Sequence, residues 1–362
     1  MTLALRLAAK GQGRASPNPM VGALVVHDDR IVGTGFHPGP GKPHAEILAL
    51  RRAGTRARGA TLYVTLEPCC HVKKRTPPCV PAVLHSGVRR VVVAMTDPNP
   101  LVKGRGVAAL RRAGLSVTTG IASREAEELN RAYCQWIKTE RPYVILKAGM
   151  TLDGQIATAS GESRWITSHQ SRQEVHRLRS QVDAILVGVG TVQADDPSLT
   201  ARTGRALKRL ASRQPLRIVI DSRLRLPLKA QILSRQRESK TLVATTRAAP
   251  SDRVRALQKK GIETIALPSV DGRVSVSALL KELGRRGVTS VLVEGGSEIN
   301  ASMLKAKLVN HVRLYIAPSL LGGGNAKGVV GGASPVRLGQ ALKLRHMQVR
   351  SVGGDVVVEG DL

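Results

Sequence analysis

Apolar runs alternate with helix-like segments along most of this 362-residue chain. In the first part, the runs VGALVV, TLYVTL, RRVVVAM and SVTTG predict strands, whereas HAEILALRRAG, VPAVLHSG and GVAALRRAG predict helices. The opening segment MTLALRLAAKGQGR predicts a first helix, and REAEELNRAYCQWIKTERP predicts one long helix at the end of this part. Strands that alternate with helices are typical of a layered α/β domain.

A domain boundary is predicted near residues 139–143, because Pro142 should end the long helix. After it the alternation restarts with YVILKAGMTLDG, DAILVGVG, LRIVIDS, TLVATT, SVLVEGG, HVRLYIAP and GGDVVVEGDL. A chain of this length is also too long for one ordinary core. We therefore predict two α/β domains, residues 1–140 and 143–362, with an exposed basic loop at about residues 203–214.

The net charge of +30 comes from 56 basic and 26 acidic residues and is spread over both halves. Such a field attracts anionic substrates and cofactors, and it would also attract nucleic acid. Aromatic residues are only 2% of the chain, which counts against nucleic-acid binding by base stacking. No stretch approaches the ~20 apolar residues of a membrane span, and four clustered cysteines make a poor disulfide framework. We expect a cytoplasmic protein.

His44, Glu46, Cys69 and Cys79 form a candidate zinc site. One imidazole and two thiolates leave a fourth position open, as in catalytic zinc sites, whereas structural sites usually fill all four with protein ligands. Bound zinc lowers the pKa of water, and a glutamate two residues from the ligand histidine could carry the proton to a leaving amine. His44 and Cys69 each follow a proline, and we predict both at helix starts, where thiolates are stabilised.

The spacing of the cysteines does not decide whether Cys69 or Cys70 is the thiolate that binds zinc together with Cys79. Cys69 directly follows the Glu67-Pro68 pair, so we assign it as the partner of Cys79 and treat Cys70 as a packed neighbour. A different hypothesis is a structural zinc module, which would show a fourth protein ligand in the metal shell.

Several motifs together resemble the bifunctional deaminase/reductase family of riboflavin biosynthesis. They are SPNPMVGALVV, PHAE, TLEPC, the long cysteine gap closed by RTPPC, and DPNP, followed by KAGMTLDGQIA, SGESRWIT, ADDPSLTAR, VIDS, VEGG and YIAPSLLGG. The resemblance covers nearly the whole chain. The cysteine gap is one residue longer than the family pattern, so either the loop bulges or Cys70 replaces Cys69.

The resemblance implies a cytidine-deaminase-like α/β/α zinc domain followed by a dihydrofolate-reductase-like α/β domain. The first would deaminate 2,5-diamino-6-(5-phosphoribosylamino)pyrimidin-4-one to the corresponding aminouracil. The second would then reduce the ribosyl chain to a ribityl chain with NADPH. A small phosphorylated pyrimidine is therefore the expected substrate and a homo-oligomer the expected state, with no nucleic-acid or membrane partner. The rival hypothesis is a nucleic-acid deaminase whose basic second half grips RNA.

The resemblance also implies which residues contact the ligands. GVGTVQ lacks the third glycine of a dinucleotide fingerprint, whereas Gly295-Gly296 before a helix start near Ser297 would suit phosphate. Arg179 and Arg202 would suit the substrate phosphate, because guanidinium binds phosphate bidentately. The implied cofactor contacts are Gly149, Trp165, Thr191, Asp195, Ser222, Gly296, Ser297, Glu298, Ile299, Asn300, Ala301 and Ser302. The implied substrate contacts are Asn18, Ser163, Arg179, Leu199, Arg202 and Glu294.

Two further residues carry weaker hypotheses. Trp165 lies in the polar segment ESRWITS and would form a wall for nicotinamide or sugar, with core packing as the alternative. Lys147 is a further candidate near the ribose. The segment MTLDGQIA predicts a strand, a turn at Asp153-Gly154 and a returning strand.

Overall fold

A computed structural model describes residues 1–72, 76–202 and 214–362. The described chain divides into two compact units, Met1–Glu140 and Arg141–Leu362. The basic loop predicted at about 203–214 lies almost wholly outside the described residues. Among the helices of the described ranges, none is both long enough and apolar enough to cross a membrane.

A five-stranded sheet with the order β2-β1-β3-β4-β5 forms the centre of the first unit. β1 pairs antiparallel with β2 and with β3, and β3, β4 and β5 run parallel. The strands are β1 Gly22–His27, β2 Arg30–Phe36, β3 Thr61–Leu66, β4 Arg90–Met95 and β5 Ser116–Thr119. The helices are α1 Thr2–Ala8, α2 Ala45–Ala53, α3 Cys79–His85, α4 Arg105–Arg112, α5 Ser123–Leu129 and α6 Arg131–Thr139.

Helices α1 and α2 pack closely on opposite faces of β1 and β2. A Cβ atom at Gly22 would lie 2.0 Å from the carbonyl oxygen of Ala4 in α1, and one at Gly35 would lie 2.2 Å from that of Ala45 in α2. Gly35 is the cross-strand partner of Ala23, so it faces the side of the sheet opposite to Gly22. The close approach on both faces gives an α/β/α layering around a core of small and branched apolar side chains.

The long helix predicted at the end of the first unit is wrong, because the structure breaks it at Asn130. Asn130 has φ −103° and ψ 17°, outside helical values. Its side-chain oxygen accepts a hydrogen bond from the Met20 N–H at 2.7 Å, and its amide nitrogen donates to the Met20 carbonyl at 3.0 Å. This contact with a distant segment interrupts a helix that the local pattern alone favours.

The second unit is built on a nine-stranded sheet of order β11-β10-β9-β8-β14-β6-β15-β18-β17. Seven strands are parallel, and β18 and β17 add antiparallel at one edge. These nine strands are β6 Tyr143–Thr151, β8 Ala184–Gly188, β9 Leu216–Ile220, β10 Thr241–Thr245, β11 Glu263–Ala266, β14 Ser290–Val293, β15 His311–Ala317, β17 Arg345–Val352 and β18 Asp355–Asp361.

Two short two-stranded sheets and five described α-helices accompany this sheet. The turn predicted at Asp153-Gly154 is present, but the strand after it pairs with Lys327–Gly328. The short strands are β7 Gln155–Ala157 with β16 Lys327–Gly328, and β12 Ser269–Val270 with β13 Arg273–Val274. The helices are α7 His169–Arg179, α8 Val189–Asp195, α9 Ser251–Lys259, α10 Val276–Arg285 and α11 Ser297–Lys305.

The chain leaves β8, β9 and β14 at the same edge of this sheet, because the three strands are parallel. Helix α8 begins after Gly188, and α11 begins after Gly296. A Cβ atom at Gly295 would lie 2.6 Å from Cβ of Ile299, so the turn before α11 needs glycine. This edge is where parallel α/β sheets usually bind ligands.

Candidate active sites

The imidazole of His44 meets the thiols of Cys69 and Cys79 in the first unit. Nδ1 of His44 lies 3.5 Å from Sγ of Cys69 and 3.2 Å from Sγ of Cys79, and the three candidate ligand atoms lie within 4.8 Å of one another. Nε2 of His44 lies 3.1 Å from the hydroxyl of Thr76, which orients the ring. One nitrogen and two sulfurs suit zinc by ligand type.

Helix α2 places Glu46 beside this group, since His44 is its N-cap and Glu46 lies in its first turn. Glu46 is buried, and burial together with the nearby Cys69 sulfur raises the pKa of its carboxyl group. The expected helix start at His44 is confirmed. The one at Cys69 is wrong: Cys69 lies in a loop after β3, and Cys79 begins helix α3.

Backbone hydrogen bonds join the two thiol segments. The carbonyl of Cys69 accepts from the N–H groups of Cys79 at 3.0 Å and Val80 at 3.3 Å. The thiol of Cys70 is directed elsewhere and lies 3.9 Å from the carbonyl oxygen of Leu101. The structure therefore brings Cys69, and not Cys70, to His44 and Cys79.

A cavity of about 570 Å³ opens over His44, Glu46 and Cys69. Asn18 lines it, and its amide nitrogen donates to Nε2 of His37 at 3.0 Å. Asp97 also lines it and accepts from the Tyr133 hydroxyl at 2.9 Å. Burial raises the pKa of Asp97 to about 6, against the opposing effect of its hydrogen bonds. The cavity thus offers amide, imidazole and carboxyl groups to a polar ring.

In the second unit, Glu294 follows β14 and meets two cations. Arg179 donates from Nε to Oε1 at 2.6 Å and from Nη2 to Oε2 at 2.9 Å, and Nζ of Lys147 lies 3.5 Å from Oε2. Burial alone would raise the pKa of Glu294, but these charges and hydrogen bonds lower it to about 2. Burial lowers the pKa of Lys147, and the Arg179 charge adds to that effect.

A cavity of about 610 Å³ lies over this carboxylate and adjoins a second cavity of about 560 Å³ at the start of α11. The two share Ile156, Ser163, Thr191, Asp195 and Gly296 in their walls. Ser163 donates to Asp195 at 2.8 Å, which fixes the boundary between them. Two joined spaces of this size can hold a dinucleotide beside a smaller molecule.

Comparison with known proteins shows the same two-part organisation. The family model of the RibD C-terminal domain matches residues 142–358, and that of the cytidine and deoxycytidylate deaminase zinc-binding region matches residues 1–95. The chain is 44% identical over 99% of its length to riboflavin biosynthesis protein RibD of Aquifex aeolicus, of which 96% is covered. It is 42% identical over 98% of its length to that of Escherichia coli, also 96% covered. The chain belongs to the RibD family.

Solved RibD structures agree with this assignment over the full length. RibD of Acinetobacter baumannii superposes with a TM-score of 0.89 at 36% identity, covering 99% of this chain and 97% of that one. The Thermotoga maritima protein, a diaminohydroxyphosphoribosylaminopyrimidine deaminase and 5-amino-6-(5-phosphoribosylamino)uracil reductase, gives 0.86 at 36% identity and covers 100% and 97%.

Family membership confirms the predicted fold class and the predicted function. The chain is a bifunctional RibD deaminase/reductase of riboflavin biosynthesis, with a zinc-binding cytidine-deaminase-like domain and a dihydrofolate-reductase-like domain that uses NADPH. Its substrates are, as for RibD enzymes in general, small phosphorylated pyrimidines. The RNA-directed deaminase is not favoured.

Most of the implied ligand contacts in the second unit line the two cavities. Gly149 and Trp165 lie in the wall of the larger cavity, and Asn300 and Ala301 lie in neither wall. Asn300 is buried and donates to the carbonyl of Val329 at 2.8 Å, so it holds a neighbouring loop. The remaining residues of the cofactor group line the smaller cavity: Thr191, Asp195, Ser222, Gly296, Ser297, Glu298, Ile299 and Ser302.

The implied substrate contacts of this RibD enzyme divide differently. Ser163, Leu199, Arg202, Arg179 and Glu294 all line the larger cavity. The guanidinium of Arg179, however, is committed to Glu294, and its Nη1 donates to the carbonyl of Thr200 at 3.3 Å. Arg179 therefore orients the carboxylate and does not present the free fork that phosphate would need. Arg202 is exposed at the cavity, where a phosphate could reach its guanidinium group.

Trp165 lies on the open wall of the larger cavity and is 68% exposed, so the alternative of core packing is wrong. The Arg172 guanidinium lies 4.5 Å from the centroid of its ring. Sequence reasoning missed other lining residues: Asp97 lies in the DPNP motif but was given no role, and single basic or polar residues outside a motif give no signal. The missed residues are His37, Asp97, Tyr133, His176, Arg225, Arg273 and Lys327.

Proposed function

We propose that His44, Cys69 and Cys79 are the zinc ligands of the deaminase and that Glu46 carries its protons. The convergence of Nδ1 of His44 with the two thiols beside a buried glutamate carries this proposal. When bound, zinc would supply a water of lowered pKa as the attacking group. Glu46 would accept a proton from that water and deliver it to the departing amine.

The proposed substrate is 2,5-diamino-6-(5-phosphoribosylamino)pyrimidin-4-one, in line with the printed name of the Thermotoga maritima relative. Asn18 and Asp97 line the cavity over Glu46 and offer donors and acceptors to the edge of a pyrimidine ring. Replacement of the ring amine by oxygen from water, with release of ammonia, gives the aminouracil, which is the substrate of the second unit.

In the second unit, NADPH would supply the hydride that converts the ribosyl chain to a ribityl chain. Glu294, held by Arg179 and Lys147, would face the ribose, with Lys147 also near that sugar. Ser163 and Leu199 would line the substrate and Arg202 would reach its phosphate. The N-terminus of α11 at Gly296 would hold the cofactor phosphates.

The experiment is to incubate purified zinc-loaded protein with the diaminopyrimidinone ribosylamine phosphate, with and without NADPH. We expect ammonia release in both cases and NADPH oxidation only after deamination. No ammonia under either condition would overturn the first half of the proposal. NADPH oxidation before any deamination would overturn the order of the two steps.

We also infer a homo-oligomer in the cytoplasm, as expected from the sequence. Large apolar side chains are exposed in the segment before β17 and on β17 itself: Val336 at 94% and Leu338 at 91% precede it, and Met347 and Val349 lie on the strand. A second copy of the chain would remove such side chains from water. Light scattering on the purified protein tests this, and a monomeric mass at micromolar concentration would contradict it.

A further inference from the structure

Asn130, at which the helical segment ending the first unit breaks, holds the loop of residues 12–21 that carries Asn18 (the Asn18 loop). Its side-chain oxygen accepts from the Met20 N–H at 2.7 Å, and its amide nitrogen donates to the carbonyl of the same residue at 3.0 Å. We propose that Asn130 is a positioning residue of the deaminase, which fixes Asn18 for the pyrimidine ring. This inference rests on the proposed role of Asn18 in the cavity over Glu46.

The Asn18 loop leads into β1 and lies outside any helix or strand. Backbone groups in such a segment have no sheet ladder to pair with and need other partners. The N–H of Asn18 donates to the carbonyl of Ala15 at 2.8 Å, inside the loop. For Met20, the amide of Asn130 supplies partners to both the N–H and the carbonyl group. Asn130 is 2% exposed, so water has little access to these bonds.

Pro19 transmits this restraint from Met20 to Asn18. The Met20 N–H belongs to the peptide group that joins Pro19 to Met20, and a peptide group is planar. The proline ring fixes the φ angle of Pro19 as well. The ψ angles of Asn18 and Pro19 are then the soft torsions between the held peptide group and the Cα atom of Asn18. A shift of the Met20 backbone would therefore move Asn18.

His37 aligns the Asn18 side chain at the cavity wall. Nδ1 of His37 lies 3.3 Å from the carbonyl oxygen of Pro43, which places the ring proton on Nδ1 and leaves Nε2 to accept. The amide nitrogen of Asn18 donates to that Nε2 at 3.0 Å. This bond orients the amide, so a displaced Asn18 loop would turn the group that meets the pyrimidine ring.

Helix capping does not account for the Asn130 side chain. Asn130 precedes α6 as its N-cap residue, yet its side chain makes no capping hydrogen bond to that helix. An N-cap asparagine normally gives its side-chain oxygen to the N–H groups of the first turn. The amide nitrogen does donate to the carbonyl of Ala126 in α5 at 3.3 Å, but the two shorter bonds go to Met20.

The first turn of α6 also supports a second wall of the same cavity. Tyr133 lies three residues after Asn130, and its hydroxyl donates to Oδ1 of Asp97 at 2.9 Å. Residues three apart are neighbours on a helix surface. The break at Asn130 thus lets one short stretch of chain hold both the Asn18 loop and the carboxyl group of Asp97.

The test is a double-mutant cycle on the full-length, zinc-loaded protein, with ammonia release from the diaminopyrimidinone ribosylamine phosphate as the assay. Asn130→Ala should raise KM about tenfold and leave kcat within about threefold, since it weakens a contact to the ring and spares the proton transfer. Asn18→Ala should raise KM by a similar factor. The double variant should match Asn18→Ala within about twofold, because Asn130 acts through Asn18.

Asn130→Asp is a second variant of the same size, which keeps the acceptor for the Met20 N–H and places an oxygen against the Met20 carbonyl. It should raise KM in the wild-type background and not in the Asn18→Ala background, and it replaces Asn130→Ala if that variant does not fold. Zinc content and NADPH-dependent reduction of the aminouracil should be unchanged in every variant.

The matched control is Val117→Ala, because Val117 packs on the core of the same unit and does not line the cavity. It should lower the melting temperature and leave KM unchanged. A wild type that releases no ammonia would overturn the proposed function itself. An active wild type whose KM is shared by the Asn130 variants, or KM factors that multiply in the double variant, would overturn only the present inference.

Discussion

The two units each bury a glutamate at the wall of a cavity, yet the two carboxyl groups have opposite surroundings. Glu46 lies among thiols, and burial and the Cys69 sulfur raise its pKa. Glu294 is equally removed from water, but Arg179 and Lys147 hold its pKa far below the ordinary value. Burial alone therefore does not decide the charge of a carboxyl group; the partner does. One glutamate is placed to exchange a proton and the other to keep its charge.

The largest expected effect is on Glu46. Glu46→Gln keeps the shape but cannot carry a proton, so we expect ammonia release to fall by about 10²- to 10⁴-fold. The same preparation supplies the control, since its NADPH-dependent reduction of the aminouracil substrate should be unchanged. Ammonia release within about threefold of the wild type would show that another group carries the proton.

Glu294 should show its charge in the pH dependence of stability. Its pKa is lowered on folding, so its contribution is complete above the ordinary value of 4.5 and is lost as the pH falls toward about 2. Glu282 and Glu359 also have pKa values lowered to about 2, so their contribution is lost over the same range in the wild type and in Glu294→Gln. Urea unfolding followed by circular dichroism should therefore show the wild type losing on the order of 3 kcal/mol more than Glu294→Gln. Glu294→Gln should also be less stable at pH 7, because two buried cations lose their partner.

Glu298→Gln is the matched variant for this measurement, because Glu298 pairs with Arg273 at an exposed position. We expect its stability to follow the wild type at every pH within about 0.5 kcal/mol. Identical pH profiles for Glu294→Gln and the wild type would show that Arg179 and Lys147 do not lower the pKa of Glu294 in solution.

The smallest expected effect is on zinc content when Cys70 is replaced, and it distinguishes Cys70 from its neighbour Cys69. Cys70→Ser should retain nearly full zinc, because its thiol points to Leu101 and away from His44. Cys69→Ser should lose most of the metal, as one of three ligands disappears. Zinc content of the purified variants, measured by atomic emission, decides the matter, and the reverse pattern would make Cys70 the ligand.

Sequence reasoning succeeded where the determining residues lie close together along the chain. The apolar runs became strands, most of them buried, and the deaminase group lies within the three short motifs PHAE, TLEPC and RTPPC. Strand β2 was missed, because RIVGTGF contains two glycines that make room for helix α2. The turn before it also gave no glycine signal, since Asp28 and Asp29 adopt its positive φ values.

Contacts between distant segments account for the other failures. The bond between Asn130 and Met20 joins residues 110 apart, and the pair of Arg179 with Glu294 joins residues 115 apart. Periodicity reports only neighbours in sequence, so it predicted an unbroken helix. The resemblance implied a substrate-phosphate role for Arg179 and did not reveal its pairing with Glu294, a partner that only the folded chain brings into place.

The carboxylate of Glu67 stabilises the loop that carries the thiols without any metal. It accepts hydrogen bonds from the N–H groups of Asp97, Gly104 and Val107 at 2.9–3.2 Å, two residues before Cys69. The protein's own bonds thus shape the loop around the thiols, and circular dichroism of the chelated protein should show an intact fold. Small zinc modules draw their folding free energy from the ion. Here zinc would bind to a domain that is already folded. The protein could therefore lose zinc and bind it again without unfolding.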